Sequence, residues 1–232
     1  MTADNLFFDR DYKSRGLDSQ RRYPNEPLIQ FFAEHYFNIP KSQRKNVRTL
    51  EVGCGSGANL WAIAKEGFDA YGMDISKTAI ELCAEMLSSY GVDAKLSVGT
   101  FQKMDFESDF FDAVVDVLTV EHTDLVGHEA AYREIFRCLK KGGRFFSWHL
   151  GAESVNFKKG GGKKLDRSTI DNAPNLDVPY NNNGLTCFLT PVTAKKMLED
   201  AGFAEIAIEK VIRSYRGMTQ KIEYLAIQAV KP

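Results

Sequence analysis

Histidines and carboxylates are the side chains best able to hold or move a proton near neutral pH. In this chain they gather around a few short stretches. Glu51 stands at the head of "EVGCGSG" (51–57), directly before Gly53, Gly55 and Gly57. Glycine suits a backbone that takes positive φ or comes very close to another group. Asp74 follows 21 residues after Gly53, at the end of the next apolar run. An acid in that place accepts hydrogen bonds from ribose hydroxyls, so the spacing points to a ribose-bearing ligand. Asp116, Leu118 and His122 lie in "FDAVVDVLTVEH", and His149 closes "GRFFSWHL". His122 and His149 are the candidate general bases. His35, in a helical stretch, and His128, near the start of another, are expected to be solvated. Cys54, Cys83, Cys138 and Cys187 are far apart and form no CxxC pair. That spacing predicts no metal site and no disulfide framework, and a reducing, cytoplasmic setting.

The elements that must position these groups alternate. "VRTLEV" (47–52), "DAYGMD", "AKLSVG", "FDAVVDVLTV" and "GRFFSWHL" read as strands. "ANLWAIAKEG" (58–67), "SKTAIELCAEMLSSYG" (76–91) and the stretch from Gly127 to Lys141 read as helices between them. Ser76 and Thr190 are predicted N-caps, and Gly91 and Gly202 predicted stops. Strands alternating with helices mean βαβ units and a parallel sheet covered on both faces. After "TPVTAKKMLEDAG" (190–202), "FAEIAIEKV" and "YLAIQAV" are joined by a short turn and are expected to pair antiparallel. The whole chain, 1–232, reads as one α/β domain: a doubly wound, Rossmann-like sheet of about seven strands, mostly parallel, with an antiparallel last strand. In such sheets ligands bind beyond the carboxyl ends of the strands, where strand order reverses.

Two segments fall outside the alternation. Residues 1–40 begin with a polar stretch carrying Phe7, Phe8, Tyr12 and Tyr23, followed by the amphipathic "PNEPLIQFFAEHYF". Residues 151–189 are rich in Gly, Lys, Asn and Asp, including "KKGGGKK" (158–164), Asp166, Arg167, Asp171 and Tyr180. A loop of that length inside a domain is usually functional or disordered. Both are expected to act as lids, the first over a cofactor and the second over an acceptor. The formal net charge is −1, which does not fit a general nucleic-acid binder. No apolar run reaches the ~18 residues of a membrane helix, and the first residues lack the apolar stretch of a signal peptide. No nucleic-acid or membrane partner is expected. Oligomeric state is not legible.

The glycine spacing alone leaves two ligands open, because Gly53, Gly55 and Ala58 also satisfy GxGxxA: a dinucleotide, or S-adenosylmethionine. "EVGCGSG", "YGMDIS", "FDAVVDVLTVEH" and "FRCLKKGGRFF", in that order, together resemble the motifs of the class I S-adenosylmethionine-dependent methyltransferases. The resemblance covers about residues 45–150 closely and 190–230 more loosely. It implies that Glu51 orients the glycine loop or reaches the methionine amine, and that Gly53, Gly55 and Gly57 approach the cofactor. It implies that Asp74 holds the ribose hydroxyls, with Ile75 packing on the adenine. Thr100, beside Phe101, stands where the family often has an acid for the adenine amine, a departure that leaves the Thr100 hydroxyl or backbone groups beside Phe101. Asp116 and Leu118 would lie under the methionine part, and Tyr12 and Tyr23 would cover the cofactor. The N-terminal "RRYPNEPLIQFF" is similar to methyltransferases of sugar-modifying systems. The expected activity is therefore O-methylation of a sugar or related small polar molecule, releasing S-adenosylhomocysteine. N-methylation of a small amine and nicotinamide-dependent oxidation remain the alternatives.

Overall fold

The computed structural model describes residues 5–159, 162–171 and 184–232. Helix α1 spans Asn5–Arg15 and a single 3-10 turn follows at Gly16–Ser19. Next come α2 (Glu26–His35), β1 (Arg48–Val52), α3 (Leu60–Lys65), β2 (Asp69–Asp74), α4 (Lys77–Ser89), β3 (Lys95–Val98), β4 (Phe111–Val117), α5 (Leu125–Cys138) and β5 (Leu139–Leu150). The 151–189 segment holds α6 (Val155–Lys158), β6 (Lys163–Lys164), β7 (Thr169–Asp171) and β8 (Thr186–Cys187). The chain closes with α7 (Pro191–Ala201), β9 (Ala204–Tyr215) and β10 (Gln220–Val230).

The main sheet has seven strands in the order β3-β2-β1-β4-β5-β10-β9. β1 to β5 are parallel, and β10 runs antiparallel to both of its neighbours. Strand order therefore reverses between β1 and β4, which sets the carboxyl ends of these two strands as the crevice. Because both faces are covered, the central strands are apolar on both sides. Val115 packs into one buried cluster with Phe31, Leu60, Phe146 and Tyr224. Its neighbour Val114 packs into the opposite cluster with Leu50, Tyr132, Ile135 and Leu225.

Local chemistry explains the element ends. The Ser76 hydroxyl accepts from Ala79 N–H at 3.1 Å, and Thr190 accepts from Thr193 N–H at 3.1 Å. Gly202 ends α7 at φ +105°, which only glycine adopts cheaply.

The structure departs from the sequence reading in three places. The polar N-terminal stretch contains a helix, α1, over Asn5–Arg15. β9 and β10 extend into both ends of "RSYRGMTQ" and leave Arg216–Thr219 as the turn. The described parts of 151–189 form a short helix and a three-stranded sheet, β6-β7-β8. Tyr180 and the glycines at 160–161 lie outside the described residues.

Candidate active site

The glycine loop between β1 and α3 is shaped by its own neighbours. Gly53, Gly55 and Gly57 have φ of +63°, +52° and +88°. A Cβ on Gly53 would overlap the Thr119 side chain, whose hydroxyl donates to the Gly53 carbonyl at 3.2 Å. A Cβ on Gly55 would meet the Tyr12 hydroxyl and the Gln20 amide, and one on Gly57 would meet the Cys83 thiol. Each glycine thus permits a close approach, and in each case the approaching group belongs to this chain.

Asp74, at the end of β2, fixes that loop. Its Oδ2 accepts from Gly55 N–H at 3.0 Å and its Oδ1 from Ser76 N–H at 2.9 Å. Each carboxylate oxygen has a second lone pair available to a ligand hydroxyl. Burial raises the Asp74 pKa, and the backbone N–H groups of Ser76, Gly55 and Ile75 oppose the shift. Ile75 follows, 47% exposed, an apolar side chain open at the crevice edge. Thr100 and Phe101 are half-buried beyond β3, and Thr100 Oγ1 accepts from Gln102 N–H at 3.3 Å.

Glu51 lies beneath the loop on β1. Its Oε1 accepts from Asn59 Nδ2 at 2.5 Å, while Oε2 is buried with no hydrogen-bond partner among the described residues. Burial pushes its pKa up to about 8, so the acid is largely protonated at pH 7. A buried unpartnered oxygen carries a substantial desolvation penalty, which a cationic ligand group would relieve.

The other wall is the turn after β4. Asp116 Oδ1 accepts from Thr119 and Val120 N–H at 3.0 and 3.1 Å, and Oδ2 from the Ser147 hydroxyl at 2.6 Å. Rather than lying open under a ligand, this carboxylate anchors the turn. Burial lifts its pKa to about 6. Leu118 sits at φ +59°, a strained value for a non-glycine residue. Glu121 is fully buried, with Oε2 accepting from Leu150 N–H at 3.1 Å and Oε1 without a hydrogen-bond partner among the described residues. Burial holds it well above the usual carboxylate range.

The histidines separate sharply. His122 Nδ1–H donates to the Leu185 carbonyl at 3.1 Å, which leaves Nε2 as the basic nitrogen, 3.9 Å from Glu121 Oε1. The Phe8 ring packs edge-on against it at 4.7 Å. His149 does not face an acceptor. It is fully buried, its Nδ1–H donates to the Leu150 carbonyl at 2.8 Å, and its Nε2 meets His128 Nε2 at 2.8 Å. Burial lowers its pKa to about 3 and that of His128 to about 4. His128, expected in solvent, is therefore core. Its place seven residues before Ile135 on one stripe of α5 was the missed signal. His35 is half-buried rather than solvated, with Nε2 2.6 Å from Gln228 Oε1.

The N-terminal segment crosses this crevice. On one face of α1, Phe8 meets His122, Asp9 accepts from the Ser76 hydroxyl at 2.8 Å, and Tyr12 is buried beside Gly55, hydrogen-bonded to Gln20. Tyr23, expected over the loop, is 69% exposed and sits edge-on to Trp61 instead. The far end of the 151–189 segment closes the opposite side, with Cys187 N–H donating to the Glu121 carbonyl at 2.8 Å. No group of His, Cys, Asp and Glu able to hold a metal ion occurs among the described residues.

Comparison with known proteins gives a match over the part of the chain that builds the crevice. Residues 50–147 match the family model described as a methyltransferase domain. The carboxyl ends of β1, β2 and β4, which build the crevice, fall within that match. Over residues 50–147 the chain is a methyltransferase domain. A sterol 24-C-methyltransferase of Debaryomyces hansenii is 34% identical to it over 193 residues, 79% of this chain and 47% of that protein. One from Aspergillus fumigatus is 35% identical over 131 residues, 53% of this chain and 34% of that protein. This chain spans less than half the length of these curated relatives. The methyltransferase domain also shares its fold with a solved S-adenosylmethionine-dependent methyltransferase from Methanosarcina mazei, with a TM-score of 0.65 at 18% identity over 89% of this chain and 98% of the other. A phosphoethanolamine N-methyltransferase of Haemonchus contortus, solved with phosphomonomethylethanolamine and S-adenosylhomocysteine, gives a TM-score of 0.70 at 15% identity over all of this chain and 61% of that one.

Proposed function

We propose that this chain transfers the methyl group of S-adenosylmethionine to a hydroxyl of a small molecule, with His122 as general base. The residues present suit the cofactor: Glu51 offers an unpartnered buried oxygen to its ammonium, Asp74 offers lone pairs to its ribose, and Ile75 an apolar edge to its adenine. The bound cofactor supplies an electrophilic methyl on a sulfonium. The protein's part is to align the acceptor in line with the methyl–sulfur bond and to keep water out.

The observation that carries the reading is the 3.1 Å contact of His122 Nδ1 with the Leu185 carbonyl, an oxygen that can only accept. With Nδ1–H held by the Leu185 carbonyl, Nε2 is the nitrogen that takes the acceptor's proton as its oxygen bonds to the methyl carbon. The cofactor held by Glu51, Asp74 and Ile75 would supply the methyl group and retain the bonding electrons on its sulfur, giving S-adenosylhomocysteine. Phe8 on one side and the Leu185–Cys187 stretch on the other shield the ring from solvent. A sugar-like acceptor is the finer part of this proposal, and the polar, lysine-rich 151–189 segment is what supports it.

A second reading follows from the relatives named sterol 24-C-methyltransferases. Here the acceptor is an alkene carbon of an isoprenoid-like molecule, and His122 removes the proton that carbon loses after methylation. Release of S-adenosylhomocysteine, measured with hydroxylated sugars in one series and isoprenoid alkenes in another, tests both. Turnover only with hydroxyl acceptors, abolished in His122→Ala, supports the first reading. Turnover only with alkenes replaces it with the second. Turnover with a small amine that survives His122→Ala contradicts both, because a neutral amine needs no base.

A further inference from the structure

Asn59 lies at the N-terminus of α3, 97% buried, and all of its described contacts converge on one question: where Glu51 points. Its Nδ2 donates to Glu51 Oε1 at 2.5 Å. Its Oδ1 accepts from Arg21 Nη2 at 3.1 Å and from Asn25 N–H at 2.9 Å. An amide at this place is held from both ends. The two donors on Oδ1 settle which end of the amide is oxygen, and so which end faces Glu51. Glu51 in turn is left with one satisfied oxygen and one bare one, Oε2, in the buried floor of the glycine loop.

The donors come from the chain segment that crosses the crevice. Arg21 and Asn25 lie between the Tyr12–Gln20 contact over Gly55 and the start of α2, whose first turn Asn25 caps by accepting from Leu28 N–H at 3.4 Å. The segment is thus tied to the same amide that holds Glu51.

We propose that Asn59 is a positioning residue that holds Glu51 with Oε2 turned toward the cofactor's ammonium, and that Arg21 and Asn25 lock it in that orientation, so that docking of the N-terminal segment and recognition of the ammonium are coupled. The inference rests on the cofactor assignment above and adds to it a residue and a coupling. It requires no contact between Asn59 and the ligand. Coupling works in both directions: whatever loosens Arg21 from Asn59 weakens ammonium recognition, and a bound ammonium tightens the segment by the same factor.

The test is calorimetry on the full chain with two probes, S-adenosylhomocysteine and its analogue lacking the α-amino group. The wild type is expected to prefer the amine-bearing probe by roughly tenfold or more, the size typical of a hydrogen bond to a charged group. Asn59→Asp keeps the two accepting contacts to Arg21 and Asn25 but loses the N–H that reaches Glu51. It is expected to bind both probes about equally. Arg21→Ala, at an exposed position where folding is not at stake, is expected to lose part of the preference and leave affinity for the analogue unchanged. Hydrogen exchange gives the reverse direction: S-adenosylhomocysteine raises protection over residues 8–25 in the wild type more than the analogue does. Equal weakening of both probes in Asn59→Asp and Arg21→Ala means a merely structural role and overturns the proposal. So does a wild type that binds S-adenosylhomocysteine with no preference for the amine, an outcome that leaves the cofactor assignment standing. A wild type that binds neither probe removes the cofactor assignment and the proposal together.

Discussion

Gly55 N–H donates to Asp74 Oδ2 at 3.0 Å, so the loop after β1 and the acid that ends β2 hold each other in place. Asp74→Ala therefore does two things. It removes the ribose acceptor, and it leaves the Gly55 and Ser76 N–H groups without their partner. The expected cost is about 1–3 kcal/mol of stability together with loss of S-adenosylhomocysteine binding. Asp74→Asn keeps one carbonyl acceptor and is expected to recover part of the stability. Urea denaturation and calorimetry on the two variants check this. A variant Asp74→Ala as stable as the wild type would show that the loop does not depend on this acid.

Glu51 makes stability depend on pH. Its pKa is about 8 in the folded protein against an ordinary value of 4.5. Between these values the folded state holds a proton that the unfolded state lacks, so this group's contribution falls as pH rises from 4.5 to about 8. At pH 7 the effect is on the order of 3 kcal/mol at most. Glu51→Gln is expected to be more stable than the wild type at pH 8, with the gap closing toward pH 4.5, and to bind the cofactor more weakly. Denaturation midpoints of both proteins across that range decide it. A gap that does not change with pH contradicts a buried, protonated Glu51.

The buried histidine pair acts in the opposite sense. His149 and His128 have pKa values lowered to about 3 and about 4. The unfolded state binds protons below its own value near 6.5, so stability from this pair is present above pH 6.5 and is lost as pH falls through 6.5 toward 4. Imidazole proton resonances followed by NMR are expected to show no titration of His128 or His149 above about pH 5. A midpoint near 6.5 for either ring contradicts the burial seen here.

His122 and His149 are predicted to fail differently. His122→Ala should retain S-adenosylhomocysteine affinity and lose turnover by about 100-fold or more, the usual contribution of a positioned base. His149→Leu should lose about 1–3 kcal/mol of stability, because the His128 ring is left facing an apolar side chain. Steady-state rates and melting curves separate the two. Equal turnover in His122→Ala and the wild type removes the base assignment.

Much of this fold is legible in the residues because it depends on local chemistry. The strand alternation, the caps at Ser76 and Thr190 and the stop at Gly202 follow from apolar periodicity and helix-end hydrogen bonding. The place of Asp74 follows from its register one strand after the glycines. What escaped depends on groups far apart in sequence. Helix α1 is anchored through Phe8, Asp9 and Tyr12, whose ring contact and hydrogen bonds reach residues elsewhere in the chain. The link between Asn59 and Arg21 spans 38 residues and has no periodic signature. His149 alternates with polar and apolar neighbours alike on a strand buried on both faces, so position at the strand end was a poor guide to exposure. The approach of Thr119 to the place a Cβ on Gly53 would take likewise joins residues far apart in sequence.

The most direct test of the account is calorimetry of the wild-type chain against S-adenosylhomocysteine and, separately, against NADH, repeated with Asp74→Ala. The account predicts saturable one-to-one binding of S-adenosylhomocysteine that Asp74→Ala abolishes, and no heat with NADH. Binding of NADH that depends on Asp74, with none of S-adenosylhomocysteine, would contradict it.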